Sequence, residues 1–289
     1  GKGLLETCVP EGADIVVSYS VWDNEELVFL PGARTVKYYH GDPGTNPIYR
    51  QEAMKTGELL KRFDKVICVS QAACDALQEI TGLKKNLEMH FNPMDSDLVK
   101  ALSREELEFP EDVPVVCAVG RLSEEKGFDR LIYIHRNLLN QGIRHKLMIV
   151  GDGPARADLE ALSVKLGVAD HVIFTGMVDP SEVHKYYQLG DIFVSASTSE
   201  TQGLTYIEAA ANGLPLLCRK DPCLDDVLIE GKNGFEYEAE EEFCQLLDTI
   251  LENPQWCHNA GIESSQIASA FDKTAFAEKI EDVYEAVLA

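Results

Sequence analysis

The stretch PVVCAVGRLSEEKGFDRLIYIHRNLLNQ, residues 114–141, contains the unit from which the fold can be predicted. The apolar run at 114–120 predicts a buried strand, and the amphipathic pattern at 128–141 predicts a helix. The polar loop at 120–130 therefore joins the carboxyl end of a strand to the beginning of a helix. A strand, a loop and a helix in this order form the repeating unit of a parallel α/β sheet.

The same unit recurs along most of the chain. Short apolar runs alternate with amphipathic patterns such as residues 155–167, and such runs between helices indicate a parallel sheet covered on both faces. The further strand candidates are residues 14–20, 35–40, 65–70, 146–151, 171–176, 191–197 and 214–219. The predicted fold class is therefore α/β, with doubly wound sheets.

A polar segment with proline near both ends, residues 92–113, separates two groups of strands and is interpreted as an interdomain linker. It divides the chain into an N-terminal domain at residues 1–95 and a second domain at residues 96–270. One more amphipathic helix follows at 271–289. Because the N-terminal domain has fewer strands than a complete sheet needs, we expect it to be minimal or truncated.

The composition is typical of a soluble globular enzyme, with 45% hydrophobic and 26% charged residues. The first residues lack the apolar core of a secretion signal. A net charge of −23 disfavours binding to nucleic acid. A basic cluster in the N-terminal third permits a local membrane contact, although a solvated helix face is the preferred explanation. The cluster consists of Lys55, Lys61, Arg62 and Lys65.

The eight cysteines do not form a C-x-x-C pair, so neither zinc binding nor thioredoxin-like chemistry is indicated. Cys68, Cys117 and Cys218 lie inside apolar runs, where a free thiol behaves as a small hydrophobic group. This pattern predicts a reducing compartment, the cytoplasm.

Three loops at predicted strand ends are candidates for ligand binding, because ligands of such sheets bind at the carboxyl ends of the strands. In the first loop, Arg121 and Lys126 flank the entry into a helix. Two cations and a helix N-terminus suit a diphosphate. A solvated loop with two unrelated cations is the alternative.

The second loop is GDGP at residues 151–154. Gly151 and Gly153 allow the backbone to approach a ligand closely, and Pro154 suits the first turn of a helix. The signal is weak, because many α/β proteins have such a turn and the full dinucleotide-binding pattern is absent.

The third loop is SETQGLTYIEAAANGLP at residues 199–215. Glu200 precedes the predicted helix and Glu208 lies about one turn inside it, so both carboxylates can reach one space. The amides of the first helical turn point there as well. Carboxylates bind sugar hydroxyls and amides bind phosphate, whereas two unrelated surface glutamates are the alternative. The amides are those of Gly203, Leu204 and Thr205.

These loops, together with VIFTGMVDP at 172–180 and IEGKNGF at 229–235, resemble the donor-binding domain of retaining glycosyltransferases of family 4. The resemblance is strongest over residues 114–240 and includes the E-x7-E pair. It implies the GT-B fold, in which two Rossmann-like domains carry parallel sheets. The resemblance makes residues 1–95 the acceptor-side domain and residues 96–270 the donor-binding domain, and it implies that the helix at 271–289 crosses back to the N-terminal domain.

The resemblance also implies roles for single residues. Arg121 and Lys126 match the pair that neutralises the donor diphosphate, Glu208 matches the glutamate at the ribose, and Glu200 matches the one at the transferred sugar. His40 matches a histidine that faces this sugar. The backbone and base contacts match Gly120, Gly151, Gly153, Met177, Val178, Gly203, Leu204 and Thr205.

The activity implied is transfer of a sugar from a nucleotide donor, a UDP-sugar above all, to a hydroxyl of a glycan or lipid-linked acceptor, without a metal ion or another cofactor. The location implied is cytoplasmic, with peripheral membrane contact left open, and the oligomeric state stays undetermined. One alternative is a non-catalytic glycosyltransferase-like subunit that needs a partner chain. A second is a dinucleotide-dependent oxidoreductase that uses the GDGP loop.

Two further patterns are interpreted as structural. The DSD stretch at 95–97 resembles a metal motif, but Asp and Ser at that place also cap a helix. The remaining histidines lack the spacing of metal ligands. They are His90, His135, His145, His171, His184 and His258.

Overall fold

The computed structural model describes residues 12–19, 29–93 and 113–289. The DSD stretch and most of the predicted linker lie outside them. The chain divides into two compact units. The first consists of Gly1–Pro93, Glu200–Gln202 and Lys273–Ala289, and the second of Met94–Ser199 and Gly203–Asp272.

Strands and α-helices alternate through the described part of the chain. The strands are β1 (Ile15–Ser18), β2 (Arg34–Tyr39), β3 (Lys65–Cys68), β4 (Leu87–Met89), β5 (Val115–Val119), β6 (Lys146–Val150), β7 (Val172–Phe174), β8 (Ile192–Ser195), β9 (Leu216–Arg219) and β10 (Gly234–Tyr237). The helices are α1 (Pro47–Leu60), α2 (Gln71–Thr81), α3 (Phe128–Asn140), α4 (Arg156–Lys165), α5 (Val183–Tyr187), α6 (Leu204–Ala211), α7 (Glu240–Leu251), α8 (Pro254–Ala268) and α9 (Lys273–Leu288).

The first unit contains a parallel sheet with the strand order β1-β2-β3-β4. Successive side chains of a strand point to opposite faces, and both faces are covered here. Val66 and Cys68 pack with α1 and α2 on one face. On the other face, Ile67 packs against Ile280 and Val283 of the C-terminal helix α9. The apolar face of the last predicted helix therefore packs against the first sheet.

The second unit contains a parallel sheet with the order β10-β9-β8-β5-β6-β7. The chain winds outward from β5 to β7, returns to the other side of β5, and winds outward again from β8 to β10. This is the doubly wound order in which the direction of winding reverses between β5 and β8. Buried Val116, Ile149 and Val194 belong to the core of this unit.

The predicted α/β class and the predicted strands are confirmed, with ends that differ by at most two residues. Two strands were not predicted, β4 and β10. Each lies at an edge of its sheet, and their sequences LEM and GFEY mix apolar with charged residues. A partly exposed edge strand does not need the continuous apolar run by which a central strand is identified.

Candidate functional site

The strand order reverses between β5 and β8, and doubly wound sheets bind ligands at the carboxyl ends of the strands at such a reversal. The loops that follow these strands are bonded to each other. The Thr198 amide and hydroxyl both donate to the Glu125 carbonyl, at 2.8 and 3.1 Å. The first and third candidate loops of the sequence therefore meet within the second unit.

The loop after β5 holds both predicted cations. Arg121 is exposed, and Lys126 ends a short 3-10 turn at Glu124–Lys126. Gly127 then has φ +65°, and a β-carbon on it would lie 2.5 Å from the carbonyl oxygen of Ala196. Only glycine fits this conformation and this approach, so the β8 loop can lie directly against the turn that carries Lys126.

A carboxylate beside the two cations responds to their charge. Glu125 accepts a 2.6 Å hydrogen bond from the Ser123 hydroxyl. This bond is the largest cause that lowers the pKa of Glu125, and the charges of Lys126 and Arg121 lower it further. The local field at this loop therefore favours an anion.

The two glycines of the GDGP loop pack against the backbone of the β5 loop, a contact that was not predicted from the sequence. A β-carbon on Gly151 would overlap the carbonyl oxygen of Gly120, and one on Gly153 would overlap that of Leu122. Backbone bonds join the same loops, with the Leu122 amide donating to the Asp152 carbonyl at 3.0 Å. Packing between two loops thus explains both glycines, and their predicted contact with a ligand stays a prediction.

Glu208 is held in place by Tyr187, a residue that was not predicted to belong to the site. The hydroxyl of Tyr187, which is fully buried, donates a 2.8 Å hydrogen bond to Glu208 Oε2. Burial raises the pKa of Glu208, and the bond from Tyr187 opposes that rise because it stabilises the carboxylate. Burial also raises the pKa of Tyr187 well above its ordinary value, so its hydroxyl keeps its proton.

Gly203 is the N-cap residue of helix α6, lies at φ +69° and has no side chain to cap the first turn. A β-carbon on Gly203 would collide with the ring of Tyr206. The amides of Leu204 and Thr205 therefore belong to an uncapped helix N-terminus, the kind of backbone that binds anions. The three predicted amide residues thus form one structural element.

The serines of the β8 segment have structural roles. Ser195 Oγ lies 3.1 Å from the Tyr206 hydroxyl and accepts a 3.2 Å bond from the Ser197 amide. Tyr237 donates a 3.0 Å bond to the Ser195 carbonyl. These bonds fix the end of β8, from which the loop to α6 departs.

Met177 and Val178 follow β7 at the same edge of the second sheet. Met177 is 84% exposed, which is unusual for a large apolar side chain. Gly176 before it lies at φ +75°, and a β-carbon there would come 2.7 Å from a guanidinium nitrogen of Arg156. Arg156 in turn binds Asp152 at 3.0 Å, so this segment is tied to the GDGP loop.

His40 and Glu200 belong to the first unit. His40 follows β2 and is half-buried, with ring centroids 6.1 Å from Tyr38 and 6.3 Å from Tyr19. Burial and the charge of Lys37 lower the pKa of His40, so its imidazole is neutral at physiological pH. Neither residue is part of the loop cluster of the second unit, and their predicted sugar contacts stay predictions.

The other histidines have structural positions where they are buried. His135 Nδ1 and His145 Nε2 are 2.8 Å apart, and both side chains are buried at the beginning of β6. His184 is buried on α5. Within residues 12–19, 29–93 and 113–289, no group of His, Cys, Asp or Glu side chains has the geometry to hold a metal ion.

The family model described as "Glycosyl transferases group 1" matches residues 99–266, more than half of the chain. Alpha-monoglucosyldiacylglycerol synthase of Streptococcus pneumoniae is 32% identical over 207 residues, which are 68% of this chain and 46% of that protein. The protein of the same name from Acholeplasma laidlawii is 32% identical over 189 residues, 65% of this chain and 47% of that protein. The chain spans about half the length of these relatives.

Solved structures share the fold. Sucrose-phosphate synthase from Thermosynechococcus elongatus is similar with a TM-score of 0.79 and 22% identity, over 89% of this chain and 68% of that chain. Anabaena Alr3699/HepE, solved in complex with UDP and glucose, has a TM-score of 0.78 and 23% identity, over 88% of this chain and 72% of that chain. The predicted GT-B-like fold class is thereby confirmed.

Proposed function

Because the chain belongs to the group 1 glycosyl transferases, we propose that it is a retaining enzyme of glycosyltransferase family 4 that uses a UDP-sugar as donor. The acceptor is a hydroxyl group of a glycan or a lipid. Two observations support the choice of substrates. Similar proteins are named as synthases of a glucosylated diacylglycerol, and a similar structure was solved with UDP and glucose.

The observation that carries the proposal is the contact of the β5 loop with the segment after β8, which is followed along the chain by the N-terminal end of α6. Arg121 and Lys126 supply two positive charges, and the uncapped first turn after Gly203 supplies backbone amides. Negative charge grows on the diphosphate as the sugar departs. Fixed donors and cations stabilise that charge more than they stabilise the bound donor, which lowers the barrier.

Glu208 binds the ribose in this proposal. Its carboxylate accepts hydrogen bonds from sugar hydroxyls, and the bond from Tyr187 holds it in place and favours its ionised form. Met177 and Val178 line the base, at the β7 end of the same sheet edge. Glu200 and His40 contact the transferred sugar.

The proposed reaction breaks the bond between the anomeric carbon and the diphosphate and forms a bond from that carbon to the acceptor oxygen on the same face. The departing phosphate oxygen takes the proton of the acceptor hydroxyl. Arg121 and Lys126 neutralise the leaving group, so the proposal requires no metal ion.

Binding of UDP to single-residue variants tests this assignment by isothermal titration calorimetry. Lys126→Ala and Glu208→Gln should each weaken UDP affinity at least about tenfold, the loss of one charge-assisted hydrogen bond. The matched controls are Lys165→Ala and Glu252→Gln, since both side chains are exposed at the C-terminal ends of helices of the same unit. Unchanged affinity in both test variants would refute the donor site.

We place the enzyme in the cytoplasm, in peripheral contact with a membrane through α1. The exposed surface of α1 includes Ile48 at 70% and Met54 at 63% exposure, beside the cation Lys55. Apolar and basic side chains together favour an anionic lipid surface. Of the other basic residues, Lys65 lies in β3 and pairs with Glu88, so it does not belong to this surface.

No helix among the residues that the structure describes is long and apolar enough to cross a membrane. The peripheral contact is tested by sedimentation with vesicles. Binding should occur with anionic lipid, and it should fall when Ile48 and Lys55 are both replaced by Ser. Equal sedimentation with purely zwitterionic vesicles would show that basic side chains do not contribute to membrane binding.

The two alternatives from the sequence have less support. Membership of a transferase family argues against a dinucleotide-dependent oxidoreductase, and loop packing accounts for the glycines on which that alternative rested. A non-catalytic subunit predicts UDP binding without sugar transfer, so an activity assay with the UDP-sugar that binds best distinguishes it.

A further inference from the structure

Gln202 makes a set of contacts that the proposed roles of the site do not include. Its side chain is 4% exposed, although glutamine is normally a surface residue. Gln202 Oε1 accepts hydrogen bonds from the Asn92 amide at 3.0 Å and from Asn92 Nδ2 at 2.6 Å. Gln202 Nε2 lies 3.4 Å from the Asn92 carbonyl oxygen. One buried side chain thus bonds three polar groups of a single residue.

The backbone fixes the orientation of this amide. The Asn92 N–H can only donate, so the Gln202 atom beside it must be the oxygen rather than the nitrogen. Both lone pairs of that oxygen are then used, and the nitrogen faces the Asn92 carbonyl. A side chain of different length or polarity cannot satisfy the same three groups, which makes the pair specific.

Glu200 lies two residues before Gln202, in the segment Glu200–Gln202 of the first unit. Asn92 follows β4, and His40 follows β2. Because the strands of the first sheet are parallel, both residues lie at its carboxyl edge. The bonds to Gln202 therefore attach the segment of Glu200 to the edge that also carries His40.

We propose that Gln202 is a positioning residue, which through Asn92 holds Glu200 at the carboxyl edge of the first sheet for contact with the transferred sugar. This inference rests on the proposed function. It predicts that recognition of the transferred sugar depends on the bonds between Gln202 and Asn92. Loss of the Gln202 bonds should then affect recognition of the sugar alone.

The test compares the affinity for UDP with that for UDP-glucose, UDP-galactose and UDP-N-acetylglucosamine by calorimetry on the full chain. The ratio of the UDP dissociation constant to that of the tightest UDP-sugar measures recognition of the sugar. In Gln202→Leu this ratio should fall at least fivefold, while the dissociation constant for UDP changes less than twofold. Gln255→Leu, an exposed glutamine on α8, is the control.

Two further variants separate positioning from a general structural role. Gln202→Glu keeps an acceptor for both Asn92 donors but loses the donor that faces the Asn92 carbonyl, so it should restore only part of the ratio. Asn92→Ala removes only the side-chain donor and should give an intermediate value. If Gln202→Leu does not fold, these two variants decide the matter, with Asn92→Ala expected to lower the ratio.

The outcomes distinguish this inference from the proposed function. A wild-type chain that binds no UDP refutes the proposed donor site. A chain that binds UDP, but prefers no UDP-sugar to it, refutes the positioning role alone. Equal losses of UDP and UDP-sugar affinity in Gln202→Leu would also refute it, because they would indicate a structural defect.

Discussion

The hydroxyl of Tyr187 donates a 2.8 Å hydrogen bond to Glu208 Oε2, and the tyrosine is fully buried. Two opposing effects meet at this pair. Burial favours the protonated form of Glu208, and the hydrogen bond favours the carboxylate. The proposed ribose contact needs the carboxylate as acceptor, so Tyr187 supports the site without touching the ligand.

Tyr187→Phe should make UDP binding more sensitive to acid. Without the hydroxyl, the pKa of Glu208 rises further and its carboxylate is protonated at a higher pH. We expect the ratio of variant to wild-type dissociation constants to grow several-fold between pH 8 and pH 5, because the variant carboxylate takes up its proton at a higher pH.

Calorimetry at each pH measures this ratio, and the ratio cancels the titration of the UDP phosphate itself. Tyr133→Phe, a partly exposed tyrosine on α3, is the control. A ratio that stays constant with pH would show that Tyr187 does not tune the ionisation of Glu208.

Glu208→Gln should stabilise the fold at neutral pH while it weakens UDP binding. Burial raises the pKa of Glu208 above its unfolded value, so ionisation costs the folded state free energy and stability falls as pH rises through this range. Removal of the charge abolishes that penalty. The melting temperature at pH 7 should rise by roughly 2 °C or more.

The gain should vanish at pH 4, where the wild-type side chain is largely protonated in both states. Scanning calorimetry at the two pH values measures it, and Glu252→Gln is the exposed control. A variant equally stabilised at pH 4 and pH 7 would contradict the desolvation argument.

The sequence allowed prediction of the features that short local patterns encode. Apolar runs such as 115–119 identify central strands, and the order of loops then places Arg121, Lys126 and Gly203 at one sheet edge. Tyr187 could not be predicted in this way. Its partner Glu208 lies 21 residues away along the chain, and the bond exists only because of how α5 packs against α6.

The contacts of Gly151 and Gln202 could not be predicted from the sequence for the same reason. Gly151 was interpreted as making room for a ligand, but the oxygen of Gly120 occupies the place of its β-carbon. Gln202 bonds a residue 110 positions away. Local sequence shows that a residue is unusual at its position, whereas its partner depends on the packing of the whole unit.

Gly151→Ala should destabilise the second unit strongly. Its φ of +132° disfavours any other residue, and the new β-carbon would overlap the Gly120 carbonyl oxygen. Neither backbone can move without breaking the bonds between the two loops. We expect a cost of about 3 kcal/mol or more in the free energy of unfolding, the range of severe backbone changes.

Gly142→Ala is a matched control, because Gly142 lies at φ +89° and a β-carbon added to it would have no atom within 4 Å. It should cost only about 1 kcal/mol, the strain of a left-handed residue. Urea denaturation at pH 7 measures both. Equal costs would mean that the loop contact is not rigid.

The buried pair His135 and His145 should make the second unit sensitive to acid. Burial is the main cause that lowers the pKa of His135 to about 3, and burial also lowers the pKa of His145. The unfolded chain binds protons near pH 6.5, before the folded chain does. Stability therefore falls as the pH drops below that value, by roughly 2 kcal/mol from His135 alone at pH 5.

His135→Asn should flatten this dependence. The amide can still bond His145 but cannot take up a proton, so the unfolding free energy should change less between pH 7.5 and pH 5 than in the wild-type chain. Urea denaturation at several pH values measures the slope, and His258→Asn on the exposed part of α8 is the control. Because the pair lies at the beginning of β6, away from the carboxyl edge that carries the donor site, UDP affinity of the folded variant should stay within about twofold of wild type. A slope equal to that of the wild-type chain would show that His135 is not the group that limits acid stability.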